Sequence, residues 1–251
     1  MPALPDFHFS LLGWAAVLGG AFCIGLNKGG LPGLGVFFVL LFALVFPPRV
    51  STGFVLPLLV IGDLCAIGAY RHVVNWKVFW TLLPPAAGGV VIGYLLMGRI
   101  PESVFGPLIG WIIITLIAVQ LLRGWLGEKI DHIFKSHSFG IVMGILLGIT
   151  TMLANAAGPV AVLYLLSVGL PKWALIGTSA FTFFVINLFK VPFSAHLGLI
   201  TPSSLMMALV LAPLIVFGFF CGKYIAGAMP QKLFETFLLI CTAIGALRLI
   251  W

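Results

Sequence analysis

The chain reads as an all-helical polytopic membrane protein made of two inverted-topology repeats, each of about five helical segments. Three observations carry that reading. Of 251 residues, 62% are hydrophobic and 8% charged, against roughly a quarter charged in soluble domains. The apolar residues fall into runs spread along the whole chain, long enough for helices crossing a hydrocarbon core of about 30 Å. Finally, glycines, prolines and a few polar residues recur at matched spacings in the two halves, as in an internal duplication. A β-barrel would show short alternating segments instead.

The first run, 9–26, follows "MPALPDFHFS", which has no Lys or Arg and so lacks the basic start of a cleaved signal. This helix is expected to be retained. The second, 31–47, is separated from it only by "NKGGLPG", a helix-breaking cluster. Runs at 50–70, 78–98 and 103–122 complete the first half. The linker "RGWLGEKIDHIFKSH" (123–137) is the only charge-dense stretch and reads as a cytoplasmic joint. Its Trp125, Leu126, Ile130, Ile133 and Phe134 suit an interfacial helix, and His132 and His137 suit its surface. Runs at 138–154 and 158–171 are divided by "NAAGP"; 173–189, 204–222 and 233–247 follow. The organisation is therefore an N-terminal repeat (1–122), a linker (123–137) and a C-terminal repeat (138–251). Each repeat has either a broken, re-entrant first pair, making eight full spans in all, or separate spans throughout, making ten.

The halves align with two small gaps. Asn27 and Gly30 meet Asn155 and Gly158 at an offset of 128. Pro47, Gly53, Asp63 and His72 meet Pro171, Gly177, Asn187 and His196 at 124. Pro84, Gly89, Gly93, Pro101 and Phe105 meet Pro213, Gly218, Gly222, Pro230 and Phe234 at 129. An odd number of segments turns the second copy upside down. With the N-terminus on one side, the opposite side collects Lys28, Arg71, Lys77, Arg123, Lys129, Lys135, Lys172, Lys223 and Lys232, while its own side collects Arg49, Arg99 and Arg248. The basic side is cytoplasmic by the positive-inside rule, so both termini face outward. The net charge of +7 reflects this bias; the scattered basic residues form no stripe for nucleic acid.

Helices broken at corresponding places in two repeats point to a transport site near the bilayer midplane. Broken helices expose backbone N–H groups and positive dipole ends, which an anion can answer. "NKGGLPGLG" offers Asn27, Lys28, Gly29 and Gly30. "NAAGPV" offers Asn155 and Gly158, with Pro159 suited to a first helical turn. The competing reading makes both stretches surface loops. Asp63 is the one acid deep in an apolar run, where a charge costs roughly 2.5–3.5 kcal/mol. It is expected to pair with Lys28 or Lys190, or to carry a coupling proton. Asn187 is its repeat mate, and Lys190 lies one turn beyond. Thr178 and Ser179, with Ser51 and Thr52 at the matching place, are further hydroxyl donors. His72 and His196 suit interfacial caps. The four cysteines lie in or beside apolar runs as buried small hydrophobes.

No nucleophile, metal or nucleotide motif is present. The expectation is a non-enzymatic carrier without cofactor or metal, acting as secondary transporter or, alternatively, passive anion channel.

The stretches "NKGGLPGLG", "LPLLVIGDLCAIGAYRHVVNW" and "TTMLANAAGPVAVLYLLSVGLPKWALIGTSAFTFFVINLFKVPF", followed by "GLIT", resemble the sulfite exporter TauE/SafE family (TSUP, DUF81) over roughly residues 10–245. The resemblance implies an inner-membrane exporter of sulfite, sulfonates or related small organic anions, with protons as a candidate coupling ion. It implies binding tips at Asn27, Lys28, Gly29, Gly30, Asn155 and Gly158, with Asp63, Asn187 and Lys190 close by. The Lys-Gly-Gly first tip departs from the more glycine-rich version of many relatives.

Overall fold

The computed structural model describes residues 9–97 and 136–250, together with positions 99, 101, 103, 104, 107, 111, 114 and 115. Most of the expected fifth segment (103–122), and the linker up to 135, lie outside the described residues.

The described chain is helical, without strands. Helix α1 (Leu11–Gly29) starts from Ser10, whose Oγ accepts from Gly13 N at 3.2 Å. A single 3-10 turn (Pro32–Leu34) leads into the short α2 (Gly35–Ala43). Helix α3 (Pro48–Tyr70) opens on Pro48, where a missing N–H costs nothing. Helix α4 (Trp76–Met97) follows Asn75, whose Oδ1 accepts from Val78 N at 3.1 Å. The second half repeats the order. Ser136 caps α5 (His137–Ala154) through Phe139 N. Helix α6 (Gly158–Val168) has Pro159 in its first turn and ends at Gly169, φ +79°. Helices α7 (Lys172–His196), α8 (Pro202–Ala228) and α9 (Gln231–Ile250) complete it. The Thr201–Ser204 capping box starts α8.

Six of these helices, α1, α3, α4, α5, α7 and α8, are long and apolar enough to cross a membrane. The apolar stretches Pro32–Ala43 and Gly158–Val168 are not; 12 and 11 residues rise only about 18 and 16 Å. In each half the apolar helix that follows the interruption is therefore too short to cross the hydrocarbon core. Outward faces carry large apolar side chains such as Trp80, Leu209, Phe217 and Phe220, each more than 60% exposed. In water such faces would drive association; in lipid they are solvated. Prolines inside helices (Pro57, Pro84, Pro85, Pro192, Pro213) are tolerated in this setting.

Packing exchanges the halves. Helix α1 lies against α8, its counterpart α5 lies against α4, and α3 lies against α7. Both of the first two interfaces are zipped by glycines four apart. Gly25 meets α8 at Gly218, Gly29 packs on Phe219 and Lys223, and Gly222 meets Leu26; Gly89 meets α5 at Gly148, Gly93 packs on Ile149 and Met152, and Gly144 on Pro85. Without Cβ atoms the backbones approach closely, which is how helices gain contact where lipid removes the hydrophobic drive. Two buried cores result, one built by α1, α2, α3 and α8, the other centred on α4, α5, α6 and α7.

Candidate functional site

The two chain breaks meet between those cores. Helix α1 runs on through Asn27 and Lys28, so both lie in its last turn rather than in a loop. Gly30 then takes φ +135°, a conformation natural to glycine, and its N–H returns to Asn27 O. The Asn27 side chain stitches the break by donating from Nδ2 to Pro32 O at 3.0 Å. In the second half Asn155 itself makes the turn, left-handed at φ 53°, a region Asn enters more readily than most residues. Its N–H bonds Thr151 O at 3.0 Å. Neither α2 nor α6 has a side chain capping its N-terminus. These two starts face each other across glycines: a Cβ placed on Gly35 would sit 3.7 Å from Gly158 Cα and 3.2 Å from Asn27 Nδ2.

Charge then gathers from the long helices. Lys28 Nζ pairs with Asp63 Oδ1 of α3 at 2.5 Å and lies 4.8 Å from the Phe183 ring centroid. Asn187 of α7 donates from Nδ2 to Asp63 Oδ2 at 2.6 Å. The residues matched by the 124 offset thus touch, as they would if an internal two-fold ran between α3 and α7. Lys190, one turn further along α7, directs its ammonium at the end of α5. It donates to Thr151 O (2.8 Å), Thr151 Oγ1 (3.1 Å) and Asn155 Oδ1 (2.5 Å). Asn155 Nδ2 in turn donates to Thr52 O at 2.9 Å. The two ammonium groups sit where helix C-terminal carbonyls favour positive charge.

All four polar centres are buried: Lys28 is 7% exposed, Asn187 1%, and Asp63 and Lys190 0%. The surface-loop reading of "NKGGLPGLG" does not survive that burial. Lys190 has its three donors satisfied, yet every acceptor is neutral. Two buried lysines therefore have one carboxylate between them among the described residues; with both as ammonium groups and Asp63 ionised, the buried site carries one net positive charge. Such a charge is costly unless something neutralises it.

A cavity of about 20 Å³ opens beside them, lined by the polar residues Asn27, Lys28, Thr151, Asn155 and Asn187 and by Gly35, Gly158, Phe38, Leu59 and Phe183. Its walls come from the middle of α3 and α7, with Leu59 and Phe183 near their centres. A smaller cavity of about 10 Å³ shares Asn27, Lys28 and Phe183 and adds Ser179. Of the expected site residues, Asn27, Lys28, Asn155, Gly158 and Asn187 line the first cavity and Ser179 the second. Asp63 and Lys190 stand behind, each touching a lining residue. Gly29 and Gly30 face away: Gly29 O accepts from Tyr70 Oη, and Gly30 packs near Ala226. Thr178 Oγ1 accepts from Asn75 N at 2.9 Å, joining α7 to the start of α4.

Sequence reasoning missed Thr151, Leu59, Phe183, Gly35 and Phe38. The first three each precede an expected polar residue (Asn155, Asp63, Asn187) by four positions, the spacing of one helical face, so that signal was present. At the periphery, Tyr94 Oη and His196 Nδ1 lie 2.9 Å apart and Arg71 Nε donates to His72 at 3.1 Å. The cysteines are free, with Cys241 buried and the others half-buried.

The family model described as Sulfite exporter TauE/SafE matches residues 17–249. No curated protein and no solved structure matches.

Proposed function

The chain belongs to the sulfite exporter TauE/SafE family, and on that premise we propose that it is a secondary carrier. Its cargo is a small anion, a sulfur oxyanion or organosulfonate, exported across the cytoplasmic membrane from a site between the two breaks. Both termini face outward. The observation that carries this reading is a pair of buried lysines with a single carboxylate, Asp63, near them among the described residues, beside the facing starts of α2 and α6. An anion in the cavity would meet the Lys28 ammonium, the Asn27 and Asn155 amides and uncapped backbone N–H groups. Together these offer both charge and directed donors.

The cavity holds about one water. An oxyanion enters only when the walls separate, which favours a gated carrier over an open channel. Asp63 supplies a route to coupling. A proton on its carboxyl would break the pair with Lys28, so protonation of Asp63 would belong to a step of the cycle apart from the anion-loaded state, in which the pair holds.

The test is counterflow in proteoliposomes. Vesicles preloaded with unlabelled sulfite should accumulate labelled sulfite transiently; Lys28→Ala and Asn155→Ala vesicles should not. Conductance without counterflow would establish a channel. Absence of any anion-dependent flux, together with absence of thermal stabilisation by sulfite, thiosulfate or sulfonates, would remove the proposal.

A further inference from the structure

Asn187 is an amide with one half in use. Asp63, an ionised carboxylate in its pair with Lys28, only accepts hydrogen bonds, so the Asn187 group turned to it at 2.6 Å must be the nitrogen. Its Oδ1 is thereby committed to the other direction. That oxygen is buried without any hydrogen-bond partner, on a residue 1% exposed that lines the larger cavity. A buried acceptor left bare costs as much as a lost hydrogen bond, and in the structure neither ammonium group donates to it. Lys28 is engaged by Asp63, and all three donors of Lys190 are taken by Thr151 and Asn155. The site thus asks its occupant for two things together: negative charge for the lysines and a hydrogen-bond donor for Asn187.

Resting on the anion-carrier reading above, we propose that the occupant is a singly charged oxyanion that carries its own hydroxyl. The hydroxyl donates to Asn187 Oδ1, and the bare oxygens lie toward Lys28 and the amides of Asn27 and Asn155. The charge count agrees with the hydrogen-bond count. With Asp63 paired as observed, two ammonium groups and one carboxylate leave a single positive charge, which one negative charge balances. A dianion would bring a second charge with no counter-ion, and its oxygens would stand bare against Asn187 Oδ1 and near Asp63. Hydrogen sulfite and hydrogen carbonate have the required form; sulfate, the sulfite dianion, nitrate and chlorate lack it.

The experiment compares ligands of equal shape and charge that differ in the hydroxyl. Binding of hydrogen sulfite against chlorate (both pyramidal), and of hydrogen carbonate against nitrate (both planar), is measured by calorimetry and thermal shift on the full chain in detergent, at one fixed, mildly acidic pH. The expected result is at least about tenfold tighter binding of the hydroxyl-bearing member of each pair, because the other leaves a buried acceptor unmet. In Asn187→Leu the preference should fall toward unity. Equal binding within both pairs in the unaltered protein overturns this inference, since a water would then be serving Asn187, and leaves the anion carrier standing. Tighter binding of sulfate than of hydrogen sulfite overturns the charge count. Binding of none of the anions overturns the carrier reading itself, and this inference with it.

Discussion

Replacing Asp63 by Asn keeps the size of the side chain and removes the only acid from a buried cluster of two lysines. In the structure Asp63 is fully buried, 2.5 Å from Lys28 Nζ and 2.6 Å from Asn187 Nδ2. Breaking a buried ion pair from one side costs about 3–5 kcal/mol, because the remaining ion keeps its desolvation without its partner. For a chain of this length 1 kcal/mol corresponds to roughly 2–4 °C in Tm. Asp63→Asn should therefore lower Tm by about 6–20 °C, followed by tryptophan fluorescence in detergent. Removing both members, as in Asp63→Asn with Lys28→Met, takes away the stranded charge and should recover most of the loss. The double-mutant cycle should return a coupling energy of about 2 kcal/mol or more, near the upper end for groups in one network. If each single change costs less than about 1 kcal/mol and the cycle shows no coupling, the pair behaves like an exposed surface bridge. The picture of a dry, charge-matched centre then fails.

Three further outcomes follow from the same contacts. Lys190→Met removes the positive charge that has no acidic partner, so sulfite should weaken by at least about tenfold in thermal-shift titration; a charge-assisted contact is worth about 1.5–3 kcal/mol. Thr178→Val deletes the acceptor for Asn75 N and should cost about 1 kcal/mol of stability while leaving proteoliposome flux at the unaltered level; loss of flux in folded protein would return Thr178 to the site. Gly148→Leu places a Cβ 2.6 Å from Val90 N of α4, so α4 and α5 must part. Overpacking of this kind costs about 1–3 kcal/mol or more, and the yield of monodisperse protein should fall, whereas Gly88→Leu, with open space around it, should be tolerated.

Much of the fold was legible because lipid imposes simple demands on a chain. Every backbone group in hydrocarbon must be satisfied within the segment, so spans appear as uncharged runs and their ends as Gly, Pro and caps. That is why the runs at 50–70 and 138–154 fall within two residues of α3 and α5. The breaks were legible for the same reason: "NKGGLPG" and "NAAGP" are the kind of sequence an apolar helix carries only where something answers the exposed backbone. What misled was the helix end. Asn27 and Lys28 read as part of the interruption after the first run, yet α1 continues through them, because a lysine in a last turn is favoured by the carbonyls it faces.

Residue order by itself determined that this is a membrane-embedded helical chain with Gly, Pro and polar residues at matched spacings in its two halves, two interruptions and one acid deep in an apolar run. These features are local or periodic, and one-dimensional spacing records them. Only the tertiary structure decided which lysine holds Asp63, that Lys190 turns instead to the end of α5, and that Asn187 meets its own repeat counterpart while keeping one oxygen unserved. Those assignments depend on angles between helices whose touching residues lie 35 to 124 positions apart in sequence. They are set by close packing at glycine contacts such as Gly25 with Gly218 and Gly89 with Gly148, whose geometry no spacing along the chain encodes.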